Sequence, residues 1–402
     1  MFTNKTLKKQ ILDAVMATEP VAARCPHVVE CGGCAFQDRA YAAQLAVKAA
    51  ALDQLWAEGL PGLVHAPIPV VASPDTFGYR TRMDYVSSRD RFGLRRRGKF
   101  NYIVDLYECH LIPPAAFVAA RTVYERAIAL GLTDYNLHSH EGFMRYFVVR
   151  VSPQGALMLA LVTASRAYDG ELAQLAELAL SLDDVASFYW LLNDKVTDTS
   201  IGEPVRFWGA EYLPMQVGAR TLAIGPNTFF QNNVHLLLPM LDEIAAATVA
   251  LGDARSLRVA DLYGGVGTIA LHLADQVREV VCVEEVGESV VLAQANIVHN
   301  RVANVAALAS DTLAYVRSQS PEAFDVIVVD PPRIGLGPEV SRELRWLGPR
   351  RIIYVSCNPI TQIDDVRTLL ESYDLVSLRG YDMFPHTPHL ETLAVFDRRA
   401  GV

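Results

Sequence analysis

From about residue 216 the chain alternates short apolar runs with helical stretches, and no other feature constrains the fold as strongly. "SLRVADLYGGVG" reads as a strand ending in a glycine turn, and "TIALHLADQ" as the helix after it. "EVVCVEEV" is the next strand and "SVVLAQANIVHN" its helix; "FDVIVVDPPR" and "RIIYVSCNP" are further strands. "HLLLPMLDEIAAATVAL" precedes them as a helix. Such alternation predicts an α/β fold class, a Rossmann-like doubly wound and mostly parallel sheet.

The glycine turn sits where a nucleoside ligand would need it. Gly265-x-Gly267-x-x-Ala270 follows a strand and opens a helix, so glycines permit the tight turn and the close approach of a ligand. Glu284 ends the next strand, where a carboxylate can accept hydrogen bonds from both ribose hydroxyls. NAD and S-adenosylmethionine both use this arrangement. Asp261, just before the turn, suits an amino acid ammonium better than a pyrophosphate. Asp330-Pro331-Pro332-Arg333 closes a later strand with an acid and a rigid turn. Both features favour the methyl donor. Cys357, in "YVSCNP", emerges from the last of these strands at the edge where ligands gather.

Upstream the organisation differs. Residues 1–110 carry a cysteine cluster and a basic strip; residues 111–215 read as a mixed α/β central domain; residues 216–402 form the cofactor-binding unit. "MRYFVVRVSP" and "ALMLALVTA" are strands joined by a turn, and "DGELAQLAELALSLDD" is a helix. Cys25, Cys31 and Cys34 stand in "CPHVVECGGC", and Cys109 follows the strip. Four thiolates in that pattern suit a soft metal. Spacing leaves an iron–sulfur cluster, zinc and unligated thiols all open. Cys282, between valines, reads as a core residue.

Composition excludes some classes. The 402 residues carry a net charge of −9, so no generally basic surface is expected. Locally, Arg80 to Lys99 holds eight basic residues against Asp84 and Asp90, with Tyr79, Tyr85 and Phe92 interleaved. That strip is either a solvated charged hairpin or a phosphate-contacting surface on whose rings bases stack. No apolar run is long enough to span a membrane, and the start does not read as a secretory signal, so the cytoplasm is expected.

Six motifs in order, "CPHVVECGGC" with Cys109, "FFQNN", "DLYGGVG", "VVDPPRIGL", "YVSCNP" and "FPHTPHLE", cover nearly the whole chain. Together they resemble the RNA uracil-5-methyltransferase family. The resemblance implies that Cys357 is the nucleophile, adding to C6 of uracil so that C5 becomes electron-rich, and that Glu391 is the base that removes the C5 proton. It implies S-adenosylmethionine contacts at Gln231, Tyr263, Gly265, Gly267, Thr268, Glu284, Asp311 and Asp330. Phe229 and Asp330 are implied to meet the uracil, which a folded RNA must flip out. It further implies a 4Fe–4S cluster on Cys25, Cys31, Cys34 and Cys109.

Longer family members carry an extra β-barrel before the first cluster cysteine; the 24 residues ahead of Cys25 are too few for one. The best-matched activity is then methylation of a uridine in 23S ribosomal RNA by a monomeric enzyme. The tRNA T-loop is the main rival. An amino-group methyltransferase, suggested by "DPPR", would need neither Cys357 nor Glu391. A non-catalytic RNA-binding module would have no reason to hold both.

Overall fold

The computed structural model describes residues 3–401. Two large sheets organise them. The first has eight strands, in the spatial order Val70–Val71, Tyr373–Tyr381, Glu391–Arg398, Arg351–Ser356, Val326–Val329, Arg258–Leu262, Glu279–Glu284 and Val305–Ala309. The five strands from Arg351–Ser356 to Val305–Ala309 are mutually parallel. Glu391–Arg398 then pairs antiparallel with Arg351–Ser356 and with Tyr373–Tyr381. This is the doubly wound α/β architecture. Its strand order reverses between Arg258–Leu262 and Val326–Val329, which opens a crevice at their carboxyl ends.

The parallel strands read as unbroken Val and Ile runs because both faces are covered. All four residues of Val326–Val329 and all six of Arg351–Ser356 are buried. One face packs against the helices Val234–Val249, Thr268–Leu273 and Gly287–His299. The other packs against Gly337–Leu347 and Pro359–Leu369, and against two N-terminal helices, α1 (Asn4–Met16) and α2 (Tyr41–Gly59).

The second sheet has seven strands: Lys99–Asp105, Arg91–Arg96, Arg82–Ser88, Met144–Val151, Leu157–Thr163, Val185–Leu192 and Glu203–Gly209. Residues 1–110 are thus shared between the two layers. The N-terminal helices and Val70–Val71 join the parallel sheet, while the basic hairpin is one end of the central sheet. Tyr79, Tyr85 and Phe92 are each 0% exposed. They pack with Phe117, Tyr124 and Phe147 in the core of the second sheet, so they cannot stack bases. The stacking half of the expectation for residues 80–99 is corrected by burial: the rings face inward, while Arg89 and Arg97 are exposed and the other arginines half-buried.

No helix among the described residues is long and apolar enough to cross a membrane.

Candidate active site

Strand ends deliver most of the expected residues to one edge. Asp261 lies in the strand Arg258–Leu262, and the chain then turns through Tyr263, whose φ of +63° is rare for a side-chain-bearing residue. Gly264 is dictated by packing: a Cβ there would lie 2.3 Å from Cys282 Sγ. Gly267, at φ +84°, caps the helix that Thr268 begins. Glu284 ends its strand and accepts from the Gly265 amide (2.9 Å) and the Val286 amide (2.8 Å). Asp311 caps the next helix by accepting from the Ala314 amide at 2.8 Å. Asp330 follows the strand Val326–Val329 and accepts from Gln231 Nε2 at 3.2 Å.

Three carboxylates of this edge resist ionisation. Burial pushes Asp261 up to about 8, opposed by the Ala270 amide, which donates to its Oδ2; nearby Asp330 and Glu284 push further. Its Oδ1 is buried with no hydrogen-bond partner. An orphaned carboxylate oxygen beside a glycine cradle, with acids at the ends of successive strands, fits a ligand that carries an ammonium and a ribose. Asp330 is pushed up to about 7 by burial, opposed by Gln231.

Glu391 opens the antiparallel strand beside Arg351–Ser356, which puts it next to the loop that carries Cys357. It is buried, and its Oε2 has no partner. Burial pushes it up to about 8; Asp330 adds and Arg333 opposes. Cys357 lies between its strand and the helix Pro359–Leu369. Burial pushes its thiol up to about 11, Glu391 and Asp330 push further, and Arg333 opposes. Asp330 and Arg333 thus act, in opposite directions, on both Cys357 and Glu391.

Arg333 had no assigned role in the sequence reading; its place directly after the proline pair was the available signal. Its loop is fastened to the Cys357 loop. Asn358 Nδ2 donates to the Arg333 carbonyl (2.8 Å), and Asp365 accepts from the Leu336 and Gly337 amides and from Tyr354 Oη. Lys8, on α1, also feels Arg333 and Cys357, so the N-terminal helix borders the same site.

Phe229 stands apart from its buried neighbour Phe230: it is 68% exposed. Behind it, Thr81 bonds the carbonyls of Gln231 and Asn232, and Asn233 caps the helix Val234–Val249.

The four clustered cysteines line one small, closed cavity with Val28, Leu94, Leu106 and Leu111. Burial pushes Cys31 up to about 11 and Cys34 to about 12, and the Cys109 thiol adds to both. Among the described residues, however, no group of three or more His, Cys, Asp or Glu side chains is arranged to hold a metal ion. The geometry shows four thiols sharing a cavity, not a ligated cluster.

Residues 211–399 match the model of the tRNA (uracil-5-)-methyltransferase family. A tRNA (uracil(54)-C(5))-methyltransferase of Pyrococcus horikoshii is 33% identical over 93% of this chain and 85% of its own length. An uncharacterized RNA methyltransferase of Caldanaerobacter subterraneus subsp. tengcongensis is 32% identical over 94% and 85%. The crystal structure of Pyrococcus abyssi tRNA (uracil-54, C5)-methyltransferase in complex with S-adenosyl-L-homocysteine superposes with a TM-score of 0.76, at 30% identity, over 91% of this chain and 86% of that one. Likeness of that extent, on a site with a thiol and a buried carboxyl at the carboxyl edge of the sheet, fixes the assignment: the chain belongs to the family of S-adenosylmethionine-dependent RNA uracil-C5 methyltransferases.

Proposed function

We propose that the chain methylates C5 of the T-loop uridine of tRNA, with Cys357 as nucleophile and Glu391 as base. The observation that carries the chemistry is the pairing of a half-buried thiol with a buried, unpartnered carboxyl on adjacent strands. S-adenosylmethionine, when bound, supplies an electrophilic methyl group at its sulfonium. Asp261, Tyr263, Gly265, Gly267, Thr268, Glu284 and Asp311 would hold it, with Gln231 and Asp330 at its reactive end.

The remaining steps belong to the chain. The Cys357 thiolate bonds to C6 of the flipped uracil, and the C5–C6 π electrons move onto O4 as an enolate. C5 then takes the methyl group as the methyl–sulfur bond breaks. Glu391 accepts the C5 proton, the C5–C6 double bond re-forms, and the C6–sulfur bond breaks to return the thiolate. Phe229, exposed and two residues before Gln231, would offer the flipped base a face. Arg333 is the cation that opposes the high pKa of both Cys357 and Glu391, so it favours the ionised forms that the reaction needs.

The buried acids make a pH prediction. A base held near 8 is mostly protonated at pH 7, so kcat, where proton removal limits turnover, rises about tenfold per pH unit below about 8 and then flattens. Initial rates from pH 6 to 9 check this; a flat profile contradicts a buried Glu391 base.

The relatives' named specificity, for tRNA uracil 54, supports a tRNA substrate. That favours tRNA over the 23S ribosomal RNA expected from the motifs. A cleft of about 680 Å³ supports RNA of either kind. Arg80, Arg82, Arg95, Arg96 and Arg97 line it with Asp84, and Asn232 and His389, next in sequence to Gln231 and near Glu391, line it too. Labelled methyl transfer to tRNA transcripts and to 23S fragments decides: one methyl per tRNA, lost when uridine 54 becomes cytidine, is expected. Methylation of the ribosomal fragment alone overturns the tRNA reading.

We read Cys25, Cys31, Cys34 and Cys109 as ligands of a 4Fe–4S cluster because they share one closed cavity. Iron and acid-labile sulfide in anaerobically purified protein test it, and zinc in their place refutes it.

A further inference from the structure

Nine residues, 382–390, link the strand Tyr373–Tyr381 to Glu391–Arg398 and so deliver Glu391. They form no helix or strand. Yet most of them are buried, and the groups that fasten them come from residues 35–80.

Lys48, on α2, is fully buried and pairs with the equally buried Asp382 at 2.5 Å. Its ammonium also reaches the Phe384 carbonyl at 3.5 Å. Gln44, one turn earlier on α2, grips His386 twice: its Oε1 accepts from the His386 amide and its Nε2 faces Nδ1, both at 3.2 Å. Burial, with Lys48 adding, holds that imidazole down near 4, so the ring is neutral and its Nδ1 can accept. Tyr79 Oη donates to the Pro385 carbonyl at 3.2 Å. The amides of Ala35 and Phe36, directly after Cys34, donate to the His386 carbonyl at 2.7 and 3.3 Å. The Arg80 guanidinium lies over the Phe384 ring, 5.7 Å from its centroid. His386 itself sits at φ +63°, a backbone state that its surroundings must hold in place.

A buried ion pair is a poor way to add stability, because desolvation offsets most of the attraction. What Lys48–Asp382 does supply is register: each charge has one acceptable partner, so one loop position satisfies both. We propose that Lys48, Gln44, Tyr79 and the Ala35–Phe36 amides form a clamp that sets the position of Glu391, and that these are positioning residues for proton removal from C5. This rests on the reading of Glu391 as the base. The clamp also gives the segment after Cys34 a mechanical route to the catalytic pocket, through the His386 carbonyl.

The signature of a misplaced base differs from that of general damage. Thiol addition and methyl transfer precede the step that uses Glu391, so a loosened clamp stalls the enzyme after them. The covalent protein–RNA adduct then accumulates while RNA binding is unchanged. Two variants test this with tRNA transcript and S-adenosylmethionine: Tyr79→Phe, which deletes one hydrogen bond, and Lys48→Met with Asp382→Asn, which neutralises the pair. A shift of the base by a fraction of an ångström predicts a kcat loss of about 3–10-fold in the first and about 10–100-fold in the second. kcat/KM for RNA stays within about twofold, so KM falls with kcat, and the denaturant-stable adduct rises as kcat falls. If the double variant does not fold, Tyr79→Phe decides alone. Unchanged kcat, or a fall in kcat without adduct, overturns the clamp. Glu391→Gln is run beside them: no adduct there removes the base assignment and the clamp with it, whereas adduct there but in neither clamp variant removes the clamp only.

Discussion

Cys357→Ala is expected to abolish methyl transfer, with a loss on the order of 10⁴-fold or more in kcat, as when an enzyme loses its nucleophile. C5 of uracil cannot attack a methyl sulfonium unaided, and no other cysteine is placed to substitute. Cys282, the other cysteine of this sheet, is buried between strands with its thiol pushed well up by burial. The four clustered cysteines face their own cavity. Alanine removes one sulfur from a half-buried loop, so the cost in folding stability is about 1 kcal/mol. Activity and melting temperature therefore separate: the first collapses while the second barely moves. An amino-group methyltransferase would behave differently, because its target nitrogen carries its own lone pair. Methylation that survives Cys357→Ala therefore identifies amino-group chemistry.

The reactivity of that thiol has to be made by the complex. In the ligand-free chain it is pushed up to about 11, with Glu391 and Asp330 among the causes. Both carboxyls are themselves raised, so at neutral pH the group holds more protons than its ordinary pKa values allow. S-adenosylmethionine, when bound, would add positive charge to this edge and so favour the ionised forms of Cys357 and Glu391, as Arg333 does.

Local chemistry made much of this site readable from sequence. A strand, a glycine turn and a helix within "SLRVADLYGGVGTIA" define the turn almost alone, since packing against Cys282 admits only glycine at 264. Glu284, Asp311 and Asp330 sit at or just beyond strand ends, where the topology itself collects them. What stayed hidden depends on distance along the chain or on the facing of a side chain. Lys48 and Asp382 are 334 residues apart, and neither belongs to a motif that suggests the other. Tyr79, Tyr85 and Phe92 looked available for bases because arginines alternate with them. In the strands Arg82–Ser88 and Arg91–Arg96, Tyr85 and Phe92 take the face that the central sheet uses for its core, and Tyr79, just ahead of them, is buried with them. The hairpin 82–96 reads locally as a surface element, yet its partner strand Met144–Val151 lies beyond a helix. The cysteine spacing suits a soft-metal site; the fold brings the four thiols to one cavity, but among the described residues no group is arranged to hold a metal ion.

Glu391→Gln is expected to trap the enzyme on its RNA. Glutamine has the shape of glutamate and, like the protonated acid, carries no charge, so thiol addition and methyl transfer proceed. It cannot take the C5 proton, so the C6–sulfur bond does not break. Product release falls on the order of 10³-fold, and a covalent adduct survives denaturing electrophoresis. The adduct should contain the transferred methyl, which labelled S-adenosylmethionine reveals; an unlabelled adduct would place Glu391 before methyl transfer. The same substitution has a stability signature with a fixed sign. Burial raises Glu391 from 4.5 to about 8, so the folded chain holds a proton there that the unfolded chain releases. That contribution is complete below about pH 4.5 and is lost as pH rises through about 8. Glutamine does not titrate, so the variant matches the parent at pH 5 and becomes the more stable of the two by pH 9. The gap amounts to a few kcal/mol, because nothing hydrogen-bonds the buried Oε2 once it is charged. Melting temperatures across that range measure it. Parallel curves would mean that water or a rearranged Arg333 reaches the carboxylate, and the proton would then leave C5 by way of a solvated base.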